Sequence, residues 1–198
     1  MLNLGFLASG NGSSLRAIVG AIKTGVLDAR PLLVVSNRPS APALDFARLH
    51  GIAALCIQTV RDPDGADAAL ALALDRAGVD VVVLSGYLRK LGHKTLERYH
   101  NRVLNIHPAL LPDFGGQGMY GRRVHEAVIA SGRTESGASV HLVDGEYDHG
   151  QVLTQVKVPI GPTDNAADLE ARVMAAEPGL FVRTLGQIES GALRLPVP

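Results

Sequence analysis

Two polar side chains lie two positions apart in a short apolar segment. Asn105 and His107 occur in the sequence Asn-Ile-His-Pro, which ends at Pro108. An Asn amide can donate hydrogen bonds to an oxygen that gains negative charge, and His moves protons near neutral pH. Residues two apart in a strand share a face, so the spacing predicts a polar pair at a strand end. A buried, hydrogen-bonded pair without a catalytic function fits the same pattern.

A later turn carries a carboxylate that could complete this pair. Asp148 lies within the sequence Glu-Tyr-Asp-His-Gly, which ends at Gly150. If Asp148 approaches His107, it sets the imidazole tautomer, stabilises the charged ring and raises the pKa of His107. Asp residues in turns more often hydrogen-bond their own backbone. The spacing along the chain does not decide between these two interpretations.

A glycine-rich segment near the N-terminus could bind an anion. Gly10-Asn-Gly12-Ser13-Ser14 follows a short apolar run and precedes apolar residues at helical spacing. Two glycines let a backbone approach an anion closely, and the N-terminus of a helix offers free N–H groups with a partial positive charge. The segment matches neither the dinucleotide fingerprint nor a Walker A loop. It is therefore a candidate phosphate loop or, alternatively, a tight turn with a serine N-cap.

The seven histidines raise the question of a metal site. Paired cysteines and a His-Glu-x-x-His motif are both absent, and His141, Asp148 and His149 only loosely resemble a ligand set. We therefore predict no required metal. His125 and Glu126 lie on a predicted amphipathic helix, where we expect a solvated face.

These groups must be positioned by an alternation of apolar strands and amphipathic helices. Strands are predicted at residues 2–7, 32–35, 54–57, 79–84, 102–107, 138–143 and 152–160. Helices are predicted at about 15–22, 42–50, 66–77, 91–100, 122–130 and 165–186. The alternation predicts an α/β fold, a single doubly wound domain with a mostly parallel central sheet and antiparallel additions near the C-terminus. The Pro- and Gly-rich segment 108–121 is long enough to suggest a functional loop.

The overall composition disfavours several classes of protein. Nineteen basic residues balance nineteen acidic ones, so the surface as a whole has no excess charge for nucleic acid or an anionic membrane. No apolar run is long enough to span a bilayer, and no basic leader precedes the first predicted strand. Cys56 is the only cysteine and cannot form an intrachain disulfide. We expect a cytoplasmic, unprocessed protein that binds small molecules, and its oligomeric state is left open.

Five segments together resemble the formyltransferases that use 10-formyltetrahydrofolate. They are LASGNGSSLRAI at 7–18, SNRPSAPALDFA at 36–47, VDVVVLSGYLRKL at 79–91, VLNIHPALLP at 103–112 and GASVHLVDGEYDHG at 137–150. The resemblance covers nearly the whole chain, so it implies one formyltransferase domain over residues 1–198. It also implies that 10-formyltetrahydrofolate donates a formyl group to the primary amine of glycinamide ribonucleotide, in purine (IMP) biosynthesis. Hydrolysis of the formylfolate, formylation of another amine, and a non-catalytic phosphate-binding module are the alternatives.

The resemblance also implies roles for particular residues. Asn105, His107 and Asp148 match the catalytic set. The ribonucleotide phosphate is expected at Gly12, Ser13 and Ser14, the folate at Leu88, Arg89, Lys90, Leu91 and Asn105, and the ribose at Glu177. Pro178 follows Glu177 directly and removes a hydrogen bond to the carbonyl of Met174, so a displacement of Glu177 is expected. The loop 113–123 is longer than in the shorter members of the family.

Overall fold

A computed structural model describes residues 1–197, so Pro198, the last residue of the predicted domain, lies outside the described residues. Seven strands form one sheet: β1 Leu2–Leu7, β2 Ala29–Ser36, β3 Ala53–Cys56, β4 Val81–Leu84, β5 Val103–His107, β6 Glu135–Leu142 and β7 Val152–Pro159. Six helices accompany them: α1 Ser13–Lys23, α2 Pro42–Leu49, α3 Pro63–Arg76, α4 His93–Arg98, α5 Arg122–Ala130 and α6 Ala166–Glu189. Among the helices of residues 1–197, none combines the length and the apolar character that crossing a bilayer requires.

The strand order places a topological switch point in the middle of the sheet. The order is β3-β2-β1-β4-β5-β6-β7, and the first five of these strands are parallel. β6 pairs antiparallel with β5, and β7 pairs antiparallel with β6. The predicted fold class, mostly parallel with antiparallel C-terminal additions, is therefore confirmed. The chain adds β2 and β3 on one side of β1 and then β4 and the later strands on its other side. The loops after β1 and β4 therefore leave the sheet in different directions, and a crevice lies between them.

Helices cover both faces of the sheet. Leu15, Leu44, Val128 and Phe181 from α1, α2, α5 and α6 pack on one face, in one buried apolar cluster. The other face packs against α3 and against Tyr99, which follows α4. The central strand β4 is buried at every position, as expected for a parallel strand covered on both sides.

Hydrogen bonds at the ends of three elements explain why their predicted boundaries were wrong. Helix α3 begins at Pro63, three residues before the predicted start, because Asp62 accepts a hydrogen bond from the Gly65 N–H and Pro63 suits the first helical position. β4 begins at Val81 because the Val79 N–H closes the end of α3 on the Leu74 carbonyl. β6 begins three residues earlier than predicted, since its pairing with β7 extends to Glu135.

The loop after His107 is tied to the sheet by one buried serine. The Ser139 hydroxyl donates to the Ala109 carbonyl at 2.6 Å and accepts from the Leu111 N–H at 2.9 Å. Gln155 Nε2 donates to the same hydroxyl and to the Leu111 carbonyl. Ser139 is completely buried, so water cannot replace these partners. The start of the 108–121 loop is therefore held against β6.

We expect Ser139→Ala to lower the free energy of unfolding by about 1–3 kcal/mol, because it leaves a buried N–H without a partner. Urea unfolding followed by circular dichroism measures this change. Ser190→Ala is the matched control, since the Ser190 hydroxyl is exposed and bonds only within its own helix end. A stability of Ser139→Ala equal to that of the control contradicts the anchoring function of Ser139.

Candidate active site

The antiparallel pairing of β5 with β6 creates a polar cluster at the end of β5. Asn105 lies directly opposite His141 in the register, and His107 lies opposite Ser139. Directly opposite residues project to the same face of a sheet. The Asn105 amide nitrogen lies 3.2 Å from His141 Nε2. The cluster thus contains two histidines, only one of which the sequence motif had indicated.

Asp148 reaches this cluster from the turn between β6 and β7. Its Oδ2 lies 3.3 Å from His107 Nδ1, and its Oδ1 lies 3.5 Å from His141 Nε2. The Gly116 N–H donates to Oδ2 at 3.0 Å. Asp148 has a φ of 55°, a left-handed conformation that Asp tolerates better than most residues. The structure therefore brings Asn105, His107 and Asp148 together. Of the two interpretations of Asp148, the approach to His107 is the one observed.

His107 is enclosed by acceptors on both ring nitrogens. Its Nε2 donates to the Phe114 carbonyl at 2.8 Å, while Nδ1 faces Asp148, and the side chain is almost completely buried. Burial lowers the pKa of His107, and the Asp148 charge and the Phe114 carbonyl offset this only in part. The expected net rise in the pKa of His107 is therefore wrong, because desolvation of the charged ring outweighs attraction to the carboxylate.

The carboxylate of Asp148 remains ionised. Burial acts to raise its pKa, but contact with His141, the charge of His107 and the N–H of Gly116 together hold the pKa below its ordinary value. The pair therefore combines a carboxylate that stays charged with an imidazole that is readily neutral. A neutral imidazole beside a fixed carboxylate is suited to take up a proton.

Two adjoining cavities open beside this cluster. The smaller, of about 100 Å³, is lined by Asn105, His141 and Asp148. The larger, of about 280 Å³, extends toward the start of α3. Both cavities are lined by the residues Tyr87, Arg89, Lys90 and Leu91.

Four of the five predicted folate residues, Arg89, Lys90, Leu91 and Asn105, thus line the cavities, whereas the side chain of Leu88 is exposed. The Leu88 N–H donates to the Ser9 hydroxyl instead.

The predicted phosphate loop forms the N-terminus of α1 at the switch point. Gly12 is the N-cap residue, has a φ of 70°, and has no side chain that could accept from the first N–H groups of the helix. The Leu15 N–H donates to the Ser85 hydroxyl, but within residues 1–197 the N–H groups of Ser13 and Ser14 have no protein acceptor. These two N–H groups are therefore available to an anion.

Hydrogen bonds connect the phosphate loop with the cavity wall. The Ser9 N–H donates to the Gly86 carbonyl, and the Ser9 hydroxyl donates to Asn37 Oδ1 while it accepts from Leu88. Because Ser9 and Ser85 lie just after the ends of β1 and β4 at the switch point, these bonds join the loop after β1 to the loop after β4.

Glu177 lies on α6, which runs without a break through Pro178. Leu180 and Phe181 bury the helix against the sheet immediately after the proline, which offsets the missing hydrogen bond. Burial raises the pKa of Glu177 to about 7. No hydrogen bond among residues 1–197 links Glu177 to Asn105, His107 or Asp148. Pro178 was expected to displace Glu177, but the helix shows no break at the proline.

One prediction about the other histidines is wrong in part. His125 is almost completely buried with its Nδ1 unpartnered, so a solvated face is correct only for Glu126, and burial lowers the pKa of His125. His149 is exposed, and its Nδ1 lies 3.1 Å from Asp144 Oδ2. Among residues 1–197, no group of three His, Cys, Asp or Glu side chains could hold a metal ion.

His141 is the site residue that motif analysis did not place. Its only sequence signal was the weak resemblance to a metal ligand set. Its position opposite Asn105 depends on the antiparallel register, which the motif alone does not determine.

Comparison with known proteins gives consistent similarities. The family model for formyl transferase matches residues 2–185. The chain is 38% identical over 188 residues to phosphoribosylglycinamide formyltransferase, chloroplastic, of Arabidopsis thaliana, covering 93% of this chain and 64% of that protein. It is 36% identical to phosphoribosylglycinamide formyltransferase of Escherichia coli, covering 98% of this chain and 90% of that protein.

A solved structure extends the similarity to three dimensions. Glycinamide ribonucleotide transformylase 1 from Symbiobacterium toebii superposes with a TM-score of 0.88 at 34% identity, covering 100% of this chain and 91% of that one. The chain spans less than two thirds of the first plant relative, and nearly all of the bacterial one. The family model covers most of the chain, and the fold agrees throughout. This protein belongs to the formyl transferase family.

Proposed function

We propose that this protein transfers the formyl group of 10-formyltetrahydrofolate to the primary amine of glycinamide ribonucleotide, a step of purine biosynthesis. The observation that carries the proposal is the meeting of Asn105, His107 and Asp148 beside a cavity, next to a glycine-rich helix N-terminus. The names of similar proteins, phosphoribosylglycinamide formyltransferases, support the choice of the acceptor and of the formyl group. The reaction takes place between small molecules, and a cytoplasmic location stays a prediction.

In this proposal each substrate has its own part of the crevice. The phosphate of the ribonucleotide accepts hydrogen bonds from the free N–H groups at Ser13 and Ser14. Two adjoining cavities suit an elongated ligand, and Arg89, Lys90 and Leu91 are shared between them, which supports binding of the folate there. Holding both substrates in one cleft supplies much of the rate enhancement, because the reaction becomes effectively unimolecular.

The side chains at the cavity provide two kinds of catalysis. Asn105 donates an N–H to the formyl oxygen as negative charge develops during attack by the amine. The neutral imidazole of His107 takes up the proton that the amine loses and returns it to the departing folate nitrogen, and Asp148 stabilises the transient imidazolium. His107 is covered by the Phe114 carbonyl in this conformation. In the neutral ring that donates from Nε2, the lone pair is on Nδ1, so proton uptake at Nε2 requires both that the loop containing Phe114 moves and that the ring hydrogen shifts to Nδ1, which faces Asp148.

The test of this function is an assay of the purified protein with 10-formyltetrahydrofolate and glycinamide ribonucleotide, in which the folate absorbance and the formylated product are both measured. We expect folate turnover that depends on the ribonucleotide, with one product formed for each folate consumed. Turnover that proceeds equally without the ribonucleotide instead identifies a hydrolase. Binding of both ligands without turnover identifies a binding module.

We expect His107→Ala and Asp148→Asn each to lower kcat by about 10²–10⁴-fold, the usual contribution of a positioned proton carrier. The KM for the ribonucleotide should stay within about threefold, because neither side chain is assigned to the phosphate. Steady-state kinetics with both substrates varied measures the two parameters separately. A kcat close to that of the unmodified protein in either variant removes that residue from the mechanism.

We expect Gly12→Ala to raise the KM for the ribonucleotide about tenfold or more, equivalent to about 1.4 kcal/mol of binding. Gly12 has a φ of 70°, and an added Cβ would lie 3.2 Å from Ala43 Cβ, so the loop must shift. Gly25→Ala is the matched control, since Gly25 has a φ of 73° with open space around it in a distant turn. Equal effects in both variants attribute the change to backbone strain alone.

Glu177 is proposed to accept hydrogen bonds from the ribose hydroxyls, and its raised pKa gives a separate test of its environment. Because the folded pKa of about 7 exceeds the unfolded value, the folded state binds the extra proton, and stability falls as pH rises from about 4.5 to 7. Relative to Glu177→Gln, the chain should lose about 2–3 kcal/mol of unfolding free energy over that window. Urea unfolding at a series of pH values measures the difference. Parallel curves for the two proteins contradict the raised pKa.

A further inference from the structure

His141 is a buried histidine at the cavity whose contacts determine its tautomer. Only 2% of its surface is exposed, and its ring lies between Asn105 and Asp148. Its Nδ1 lies 2.8 Å from the Leu142 carbonyl oxygen. A carbonyl can only accept a hydrogen bond, so Nδ1 carries the hydrogen. In the neutral ring Nε2 therefore has a lone pair and acts as an acceptor.

This lone pair determines which end of the Asn105 amide faces His141. The nearest side-chain partner of Nε2 is the Asn105 amide nitrogen at 3.2 Å, whereas Asp148 Oδ1, which can only accept, lies at 3.5 Å, beyond the usual length of a charge-assisted hydrogen bond. An acceptor nitrogen attracts the NH₂ end of an amide and repels its oxygen. One Asn105 N–H is thereby used by His141. The other remains for a ligand in the cavity that Asn105 lines.

We propose that His141 is a positioning residue for the formyl transfer, which orients the Asn105 amide so that an N–H, and not the carbonyl oxygen, meets the reacting oxygen. The Leu142 carbonyl determines which nitrogen of the His141 ring carries the hydrogen, and the other nitrogen then determines the orientation of the Asn105 amide. This inference rests on the proposed function for its kinetic consequence. The orientation itself is a property of the protein without ligands and can be measured independently.

The matched pair His141→Asn and His141→Gln tests the kinetic consequence. A Gln side chain can place an acceptor oxygen near the position of Nε2, whereas the shorter Asn side chain reaches only the position of Nδ1. We expect His141→Asn to lower kcat about 10–100-fold, the cost of a misplaced catalytic group, with both KM values within about threefold. His141→Gln should recover at least half of the loss on a logarithmic scale. His100→Asn, at an exposed position beyond α4, is the control and should match the unmodified protein.

A double-mutant cycle separates positioning from a general structural effect. If His141 acts through Asn105, then adding His141→Asn to Asn105→Ala should change kcat by less than about threefold, because the group being oriented is already absent. If His141→Asn lowers kcat as much in the Asn105→Ala protein as in the unmodified protein, the proposal is overturned. Equal losses in His141→Asn and His141→Gln overturn it as well.

Nitrogen NMR of the unmodified protein labelled at histidine provides a measurement that needs neither substrate nor a mutant. We expect the His141 signals of a protonated Nδ1 and an unprotonated, hydrogen-bonded Nε2 in the neutral ring. In protein labelled at asparagine, one Asn105 side-chain N–H should show the slower exchange of a hydrogen-bonded proton. The opposite tautomer overturns the proposal even if the enzyme transfers formyl. The expected tautomer together with no formyl transfer retains the orientation but contradicts the proposed function.

Discussion

The contact between Asp148 and His107 is the interaction on which the proposed chemistry depends, and it is held by constraints from three directions. The antiparallel pairing of β5 with β6 sets the position of His107. The turn after β6 returns closely, because an added Cβ at Gly150 would lie 2.0 Å from the Leu142 carbonyl oxygen. The 108–121 loop covers the pair, and the Gly116 N–H donates to Asp148. Asp148 has a left-handed backbone, and these contacts hold its side chain against His107.

Burial decides the electrostatics of this pair more than the charge of the partner does. A carboxylate at hydrogen-bonding distance favours an imidazolium, but the removal of His107 from water disfavours it more strongly. The same enclosure leaves Asp148 ionised, since it receives an N–H and faces two imidazoles. Both pKa values are lowered, so a readily neutral imidazole lies beside an ionised carboxylate. This is the usual arrangement of a proton acceptor with a stabilising anion.

A second constraint is the switch point between β1 and β4. Parallel strands end at the same edge of a sheet, and the chain leaves β1 and β4 in different directions. Ser9 and Ser85 bond across the gap to the loop after β4 and to the start of α1, respectively. The free N–H groups of Ser13 and Ser14 and the cavity wall are thereby held in a fixed position relative to each other. A binding site for two substrates needs such a relation, because both reacting ends must meet at one place.

Periodicity and local chemistry in the sequence were sufficient for the element order, the α/β class, the shared face of Asn105 and His107, and the helix N-terminus after Gly12. These features depend on residues near one another in the chain. The approach of Asp148 to His107, the placement of His141 opposite Asn105 and the burial of His125 were decided only by tertiary structure. They depend on strand register, turn geometry and the packing of α5, which involve residues distant in sequence. The direction of the His107 pKa shift belongs to the same group, because desolvation depends on every element that covers the side chain.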